Sequence, residues 1–106
     1  MVTVDGPNGK EIVYNHRDVD RHAIVLKKPP PNYPRTARRH EVAGLVILSA
    51  VFSSTGQVTN IRVLRGVSEL NESAIDAAKH IKFEPAMKDG KPVAVRVRLE
   101  YRYNIY

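Results

Sequence analysis

Residues 93–106 read Val93-Ala94-Val95-Arg96-Val97-Arg98-Leu99-Glu100-Tyr101-Arg102-Tyr103-Asn104-Ile105-Tyr106. Every odd position from Val93 to Ile105 is aliphatic or aromatic, while Arg96, Arg98, Glu100, Arg102 and Asn104 fall between them. Successive side chains of a strand point to opposite faces, so this is a β-strand with one dry and one wet side. At about 3.3 Å per residue it would run roughly 45 Å, well beyond a common strand. So long a strand is expected to outrun its sheet, with Tyr101–Tyr106 overhanging. Its edge, Val93, Ala94, Val95, Arg96, Val97, Arg98, Leu99, Glu100, Tyr101, Arg102 and Tyr103, then offers backbone donors and acceptors to a partner strand.

The segments before it decide where that edge lies. Leu45 to Phe52 is apolar on both sides, the pattern of a central strand, and Ser53-Ser54-Thr55-Gly56 reverses it. Gln57 to Leu64 returns as its hairpin partner, with a bulge to reconcile the phases of Val58 and Ile61. Ser68 to Lys82 predicts a helix whose apolar stripe is Leu70, Ala74, Ala77, Ala78 and Ile81, capped by Ser68 and ended before Pro85. A right-handed crossover then puts the last strand parallel to the second and beside the first. The expected fold class is α+β: a two-layer sandwich with a β-β-α-β core. Its antiparallel-type sheet has three strands in the order 2-1-3, with the helices on one face and the last strand at an edge.

Tyr33-Pro34 opens a short helix before this core, with Ala37 and Val42 inward, because proline is tolerated in a first turn. Lys27-Lys28-Pro29-Pro30-Pro31 interrupts regular pairing, since proline supplies no N–H. Residues 29–32 are thus a proline-rich connector between an N-terminal extension, 1–28, and a domain over 33–106. Within the extension, Asn8-Gly9 between Thr3-Val4 and Ile12-Val13-Tyr14 predicts a hairpin, and Ala23–Leu26 a short buried strand. Leu45, Ile47 and Val51 would form an apolar patch on the face opposite the helices, to be covered by residues 1–28 or a second chain.

Composition narrows the function. One domain of 106 residues with 42% hydrophobic residues can bury a core, and with no cysteine it holds neither disulfide nor thiolate. No apolar run is long enough to span a bilayer, and residues 1–10 lack the pattern of a signal peptide. The net charge of +6 is spread along the chain, with 8 Lys/Arg against 5 Asp/Glu before Gly44 and 9 against 6 from there on. That is a cationic surface rather than a basic tail. His16, His22, His40 and His80 show no metal-ligand spacing, no serine sits in a nucleophile elbow, and the glycines are isolated. The expectation is a chain with no catalytic residues, no metal and no cofactor.

Tyr33-Pro34, Ala37-Arg38, Gly44, Val46-Leu48-Ala50 and Gly56-Gln57-Val58 stand in one order along the chain. Leu70 with Ala74 and Ala78, then Phe83-Glu84-Pro85-Ala86, Gly90-Lys91-Pro92-Val93 and the alternating end follow them. Together these pieces closely resemble the C-terminal domain of TonB-type energy transducers over about residues 29–106. The resemblance implies a periplasmic, non-enzymatic docking domain tethered to the inner membrane. It implies two sets of partners: the ExbB and ExbD motor proteins, through a membrane anchor, and the TonB-dependent outer-membrane receptor. The receptor's TonB-box peptide would add as a strand beside Val93–Tyr103. No membrane helix precedes this domain in the sequence given, so a truncated transducer or a soluble relative is expected.

Two other functions compete for the same residues. The long edge could pair with its own copy or with Ala23–Leu26, making a homodimer or an assembly module. Arg96, Arg98, Arg102 and Tyr106 could touch nucleic acid, but too few aromatics face outward to stack bases, so no nucleic-acid partner is expected.

Overall fold

A computed structural model describes residues 2–105. Along the chain run β1 (Val2–Gly6), β2 (Gly9–Tyr14), a single 3-10 turn (His16–Asp18), β3 (Ile24–Lys27) and α1 (Arg35–Arg39). Then come β4 (Gly44–Phe52), β5 (Val58–Arg65), α2 (Asn71–Lys79), β6 (Lys82–Glu84), β7 (Ala86–Lys88) and β8 (Lys91–Tyr103).

β4 is the spine. Every residue from Val46 to Ser53 is buried, as a strand covered on both faces requires. It lies between β5 and β8, antiparallel to each, and meets β8 in unbroken register from Gly44 opposite Tyr103 to Phe52 opposite Val95. β5 does contain a bulge. Its register slips near Asn60, whose φ of 51° lies in the left-handed region, and Val58 and Ile61 both pack on the core. A second slip, between the partners of Ile47 and Leu48, falls around Leu64.

One face of this sheet carries the helices. Leu70, Ala74, Ala77, Ala78 and Ile81 form the expected stripe, all buried against Val46, Leu48, Ala50 and Phe52, and Ala37 of α1 joins them. Small alanines let the helix sit close to the strands. Phe52 stacks on Phe83 with ring centroids 4.1 Å apart. The helix is shorter than its stripe. Ser68 does not cap it, because the chain turns from Val67 to Leu70; instead the Asn71 side chain accepts the Val67 N–H at 2.8 Å. Its end also comes early, at Lys79, since Lys82–Glu84 turns extended to pair with β3.

The sheet is larger than the three antiparallel strands expected. Its order is β1-β2-β8-β4-β5, with β7 pairing β8, and the β2–β8 contact is parallel. The cause is the N-terminal hairpin, which turns at Pro7-Asn8 with Gly9 at φ 106° as the first residue of β2, and then docks on β8 at Ala94 and Val95. Val4, Val13, Val51 and Ala94 make a second, small core on the face away from the helices. Residues 1–28 thus cover the Val51 end of the apolar patch. Glu11 fastens the cover: its Oε2 accepts from the Ser54 N–H (3.1 Å), the Ser54 hydroxyl (2.5 Å) and the Ser53 hydroxyl (3.1 Å).

Two further expectations need correction. β3 exists but is exposed throughout, because among the described residues its only strand partner is the three-residue β6. The overhang of β8 lies at the other end from that predicted. Tyr101 and Tyr103 are buried and paired with Val46 and Gly44, whereas Lys91–Val93 runs past β4 and turns back on β7. Tyr106 lies outside the described residues. Among those described, no helix is long and apolar enough to cross a membrane.

Candidate functional site

The two rims of β8 differ. On the inner rim β4 satisfies the backbone over nine pairs, from Val95 to Tyr103. On the outer rim β2 reaches only Ala94 and Val95. Val93, Ala94 and Val95 are therefore not on a bare edge, because β7 and β2 have taken them. From Arg96 to Tyr103 no described strand pairs with the outer rim.

A single side chain shows how that rim is oriented. Lys28 Nζ donates to the Glu100 carbonyl at 3.0 Å and rests over the Tyr101 ring, 4.6 Å from its centroid. That carbonyl faces away from β4, and strand geometry turns the N–H and C=O of Arg96, Arg98 and Arg102 the same way. Their side chains share a face with Leu45, Ile47, Ser49 and Val51, as the cross-strand register requires. The dry side chains Val97 and Leu99 point to the helix-bearing face. There they border a groove of about 240 Å³ with Val19, Ala23, Val25 and Phe52. An added strand would find open hydrogen-bonding groups along the rim and an apolar trough under alternate side chains.

The C-terminal end of the rim is rigidly held. The Tyr103 hydroxyl lies 2.8 Å from Ser73 Oγ on α2, and Ser73 in turn donates to the Asn32 carbonyl of the proline connector. Tyr33 stacks edge-on against Tyr103 at 5.5 Å, and its hydroxyl donates to the Val42 carbonyl. Burial pushes the Tyr101 phenol up to about 12, with the neighbouring Tyr103 adding to the effect, and its buried hydroxyl has no hydrogen-bond partner among the described residues. Burial also raises Tyr103, opposed by its Ser73 hydrogen bond.

None of this is catalytic geometry. Among the described residues no cluster of three or more His, Cys, Asp or Glu could hold a metal. His16 and His22, far apart in spacing terms, do meet edge-to-face at 5.3 Å beside the groove. Lys28 on the rim and the Glu11 latch had no pattern in the sequence, because each depends on chain segments brought together by folding.

Comparison with known proteins gives this geometry a family. The model of the Gram-negative bacterial TonB protein C-terminal matches residues 29–105. Protein TonB of Vibrio cholerae is 34% identical over 89 residues, which cover 82% of this chain and 36% of that protein. Protein TonB of Xanthomonas campestris is 37% identical over 76 residues, 70% of this chain and 34% of that protein. The chain thus spans about a third of the length of these relatives. Among solved structures, the Pseudomonas aeruginosa TonB C-terminal domain superposes with a TM-score of 0.66 at 27% identity, covering 79% of this chain and 87% of that one. The Helicobacter pylori domain gives 0.55 at 25% identity, covering 71% and 80%. The TonB proteins are not enzymes, and by sequence and by fold this chain belongs to the TonB C-terminal family.

Proposed function

We propose that the chain is the periplasmic docking domain of a TonB-type energy transducer, and that it grips an extended receptor peptide by strand addition. The observation that carries this is the outer rim of β8 from Arg96 to Tyr103, which no described strand pairs with and which lies beside the Val97–Leu99 groove. The added strand is the TonB box of an outer-membrane TonB-dependent receptor. Its backbone bonds supply affinity, and its alternate side chains, seated in the groove, set register. Lys28 must leave the Glu100 carbonyl for the peptide to take its place. Work reaches the domain from ExbB and ExbD through a membrane anchor carried outside these residues. The continuous β4–β8 ladder passes it to the peptide.

Titration with TonB-box peptides, followed by backbone amide NMR, tests this. Shifts should concentrate at Arg96–Tyr103, and N-methylation of alternate peptide amides should abolish them. Shifts elsewhere with unchanged amides at 96–103 would refute the mode. A homodimer sealed along the same rim is the competing occupant, and sedimentation across concentration separates the two: a tight dimer would exclude the peptide.

A further inference from the structure

The face of the sheet opposite the helices has a charge pattern that strand addition at the rim does not use. Cross-strand register places Arg96, Arg98 and Arg102 of β8 on this face opposite Val51, Ser49 and Leu45, and Arg62 and Arg65 of β5 opposite Ser49 and Ile47. Among β4, β5 and β8 the one carboxylate is Glu100, 3.5 Å from Arg98, and the Glu11 carboxylate of β2 is taken up by Ser53 and Ser54. Among the described residues, Arg62, Arg65, Arg96 and Arg102 have no carboxylate within ion-pair distance. Arg96, half-buried, donates only to the neutral Ser49 hydroxyl at 3.2 Å. Much of the net charge of +6 is therefore gathered on one surface.

We propose that this face is a second docking surface, for an acidic segment of a partner protein. Its shape and lining select that partner. A trough of about 560 Å³, walled by Asn15 and His16 on one side and Leu64 on the other, runs between Arg96 and Arg98 over Ser49. A concave surface of this kind does not lie flat on a membrane. Leu64, 61% exposed, stands among the arginines, and Ile47 is buried beneath them, so the face mixes aliphatic with cationic groups. No aromatic side chain of β4, β5 or β8 shares this face to stack a base, since Tyr101 and Tyr103 are buried on the helix side. Planar guanidiniums suit carboxylates, which they can bind in bidentate fashion. The fit is to Asp/Glu interspersed with aliphatic residues.

The test uses the whole chain and a synthetic glutamate-rich peptide with interspersed leucines, read by arginine side-chain NMR. The Nε–Hε signals of Arg62, Arg65, Arg96 and Arg102 should shift, and affinity should fall about tenfold from low to physiological salt. An Arg62→Gln/Arg65→Gln variant should bind this peptide at least about fivefold more weakly while keeping the wild-type melt. Because both positions lie on β5, beyond β4 from the rim, that variant should bind TonB-box peptide unchanged, so failure here is distinct from failure of strand addition. Equal affinity of variant and wild type would overturn the proposal. Tighter binding of phosphatidylglycerol vesicles or a DNA duplex than of the acidic peptide would overturn it too, assigning the face to a lipid or a nucleic acid.

Discussion

The inner rim of β8 is closed and the outer rim is open, although the same thirteen residues make both. Along the inner rim nine consecutive pairs tie β8 to the most buried strand of the molecule. Along the outer rim β2 supplies two pairs and one lysine supplies a single hydrogen bond. With strand addition as proposed, the difference separates stability from recognition within one strand. Changes aimed inward should unfold the domain, while changes aimed outward should leave it folded and disarm it.

The largest effect should come from the core behind the inner rim. Phe52→Ala removes a ring that is 2% exposed and stacked on Phe83, and should cost about 3–5 kcal/mol in urea unfolding. A sharper contrast comes from proline at adjacent residues. Val97→Pro deletes an N–H turned toward Ala50 of β4 and should cost roughly 3 kcal/mol. Arg98→Pro deletes one turned outward and should cost at most about 1 kcal/mol while eliminating peptide binding. Equal destabilisation by the two would erase the distinction between rims.

Legibility in the sequence follows the same division. Alternation over Val93–Tyr103, the doubly apolar Leu45–Phe52 and the hairpin signalled by Asn8-Gly9 could be read because each is a local pattern tens of ångströms long or a turn with strict backbone needs. β6 and β7 could not be read, because three residues are too few to show a period, and Lys82 reads as the end of the helix until β3 claims it. The candidate edge was legible as a strand but not in extent. Only folding shows that the hairpin docks on Ala94 and Val95 and that the excess length lies at Lys91–Val93.

The hairpin itself is the next test, since it is what narrows the outer rim. Glu11→Ala removes three hydrogen bonds to the Ser53-Ser54 turn and should cost about 1.5–3 kcal/mol, seen as faster hydrogen exchange in β1 and β2. Peptide shifts should then spread toward Ala94 and Val95 as the hairpin loosens.

The smallest effect concerns Tyr101. Its pKa is pushed up from 10.0 to about 12, so the folded state holds the phenol proton more tightly than the unfolded chain. The support this gives is complete below about pH 10 and is lost as pH rises through about 12. Tyr101→Phe should remove that alkaline dependence. At neutral pH it should change stability by less than about 1 kcal/mol, because the buried hydroxyl has no partner among the described residues to lose.

Hydrogen exchange along β8, with and without a TonB-box peptide, probes the two rims in one experiment. The amides of Val97, Leu99 and Tyr101, bonded to β4, should be slow in both states. Those of Arg98, Glu100 and Arg102 should be fast in the free protein and become protected when the peptide binds. If these outward amides are already protected without peptide, or remain fast at saturation, the outer rim is not the docking edge.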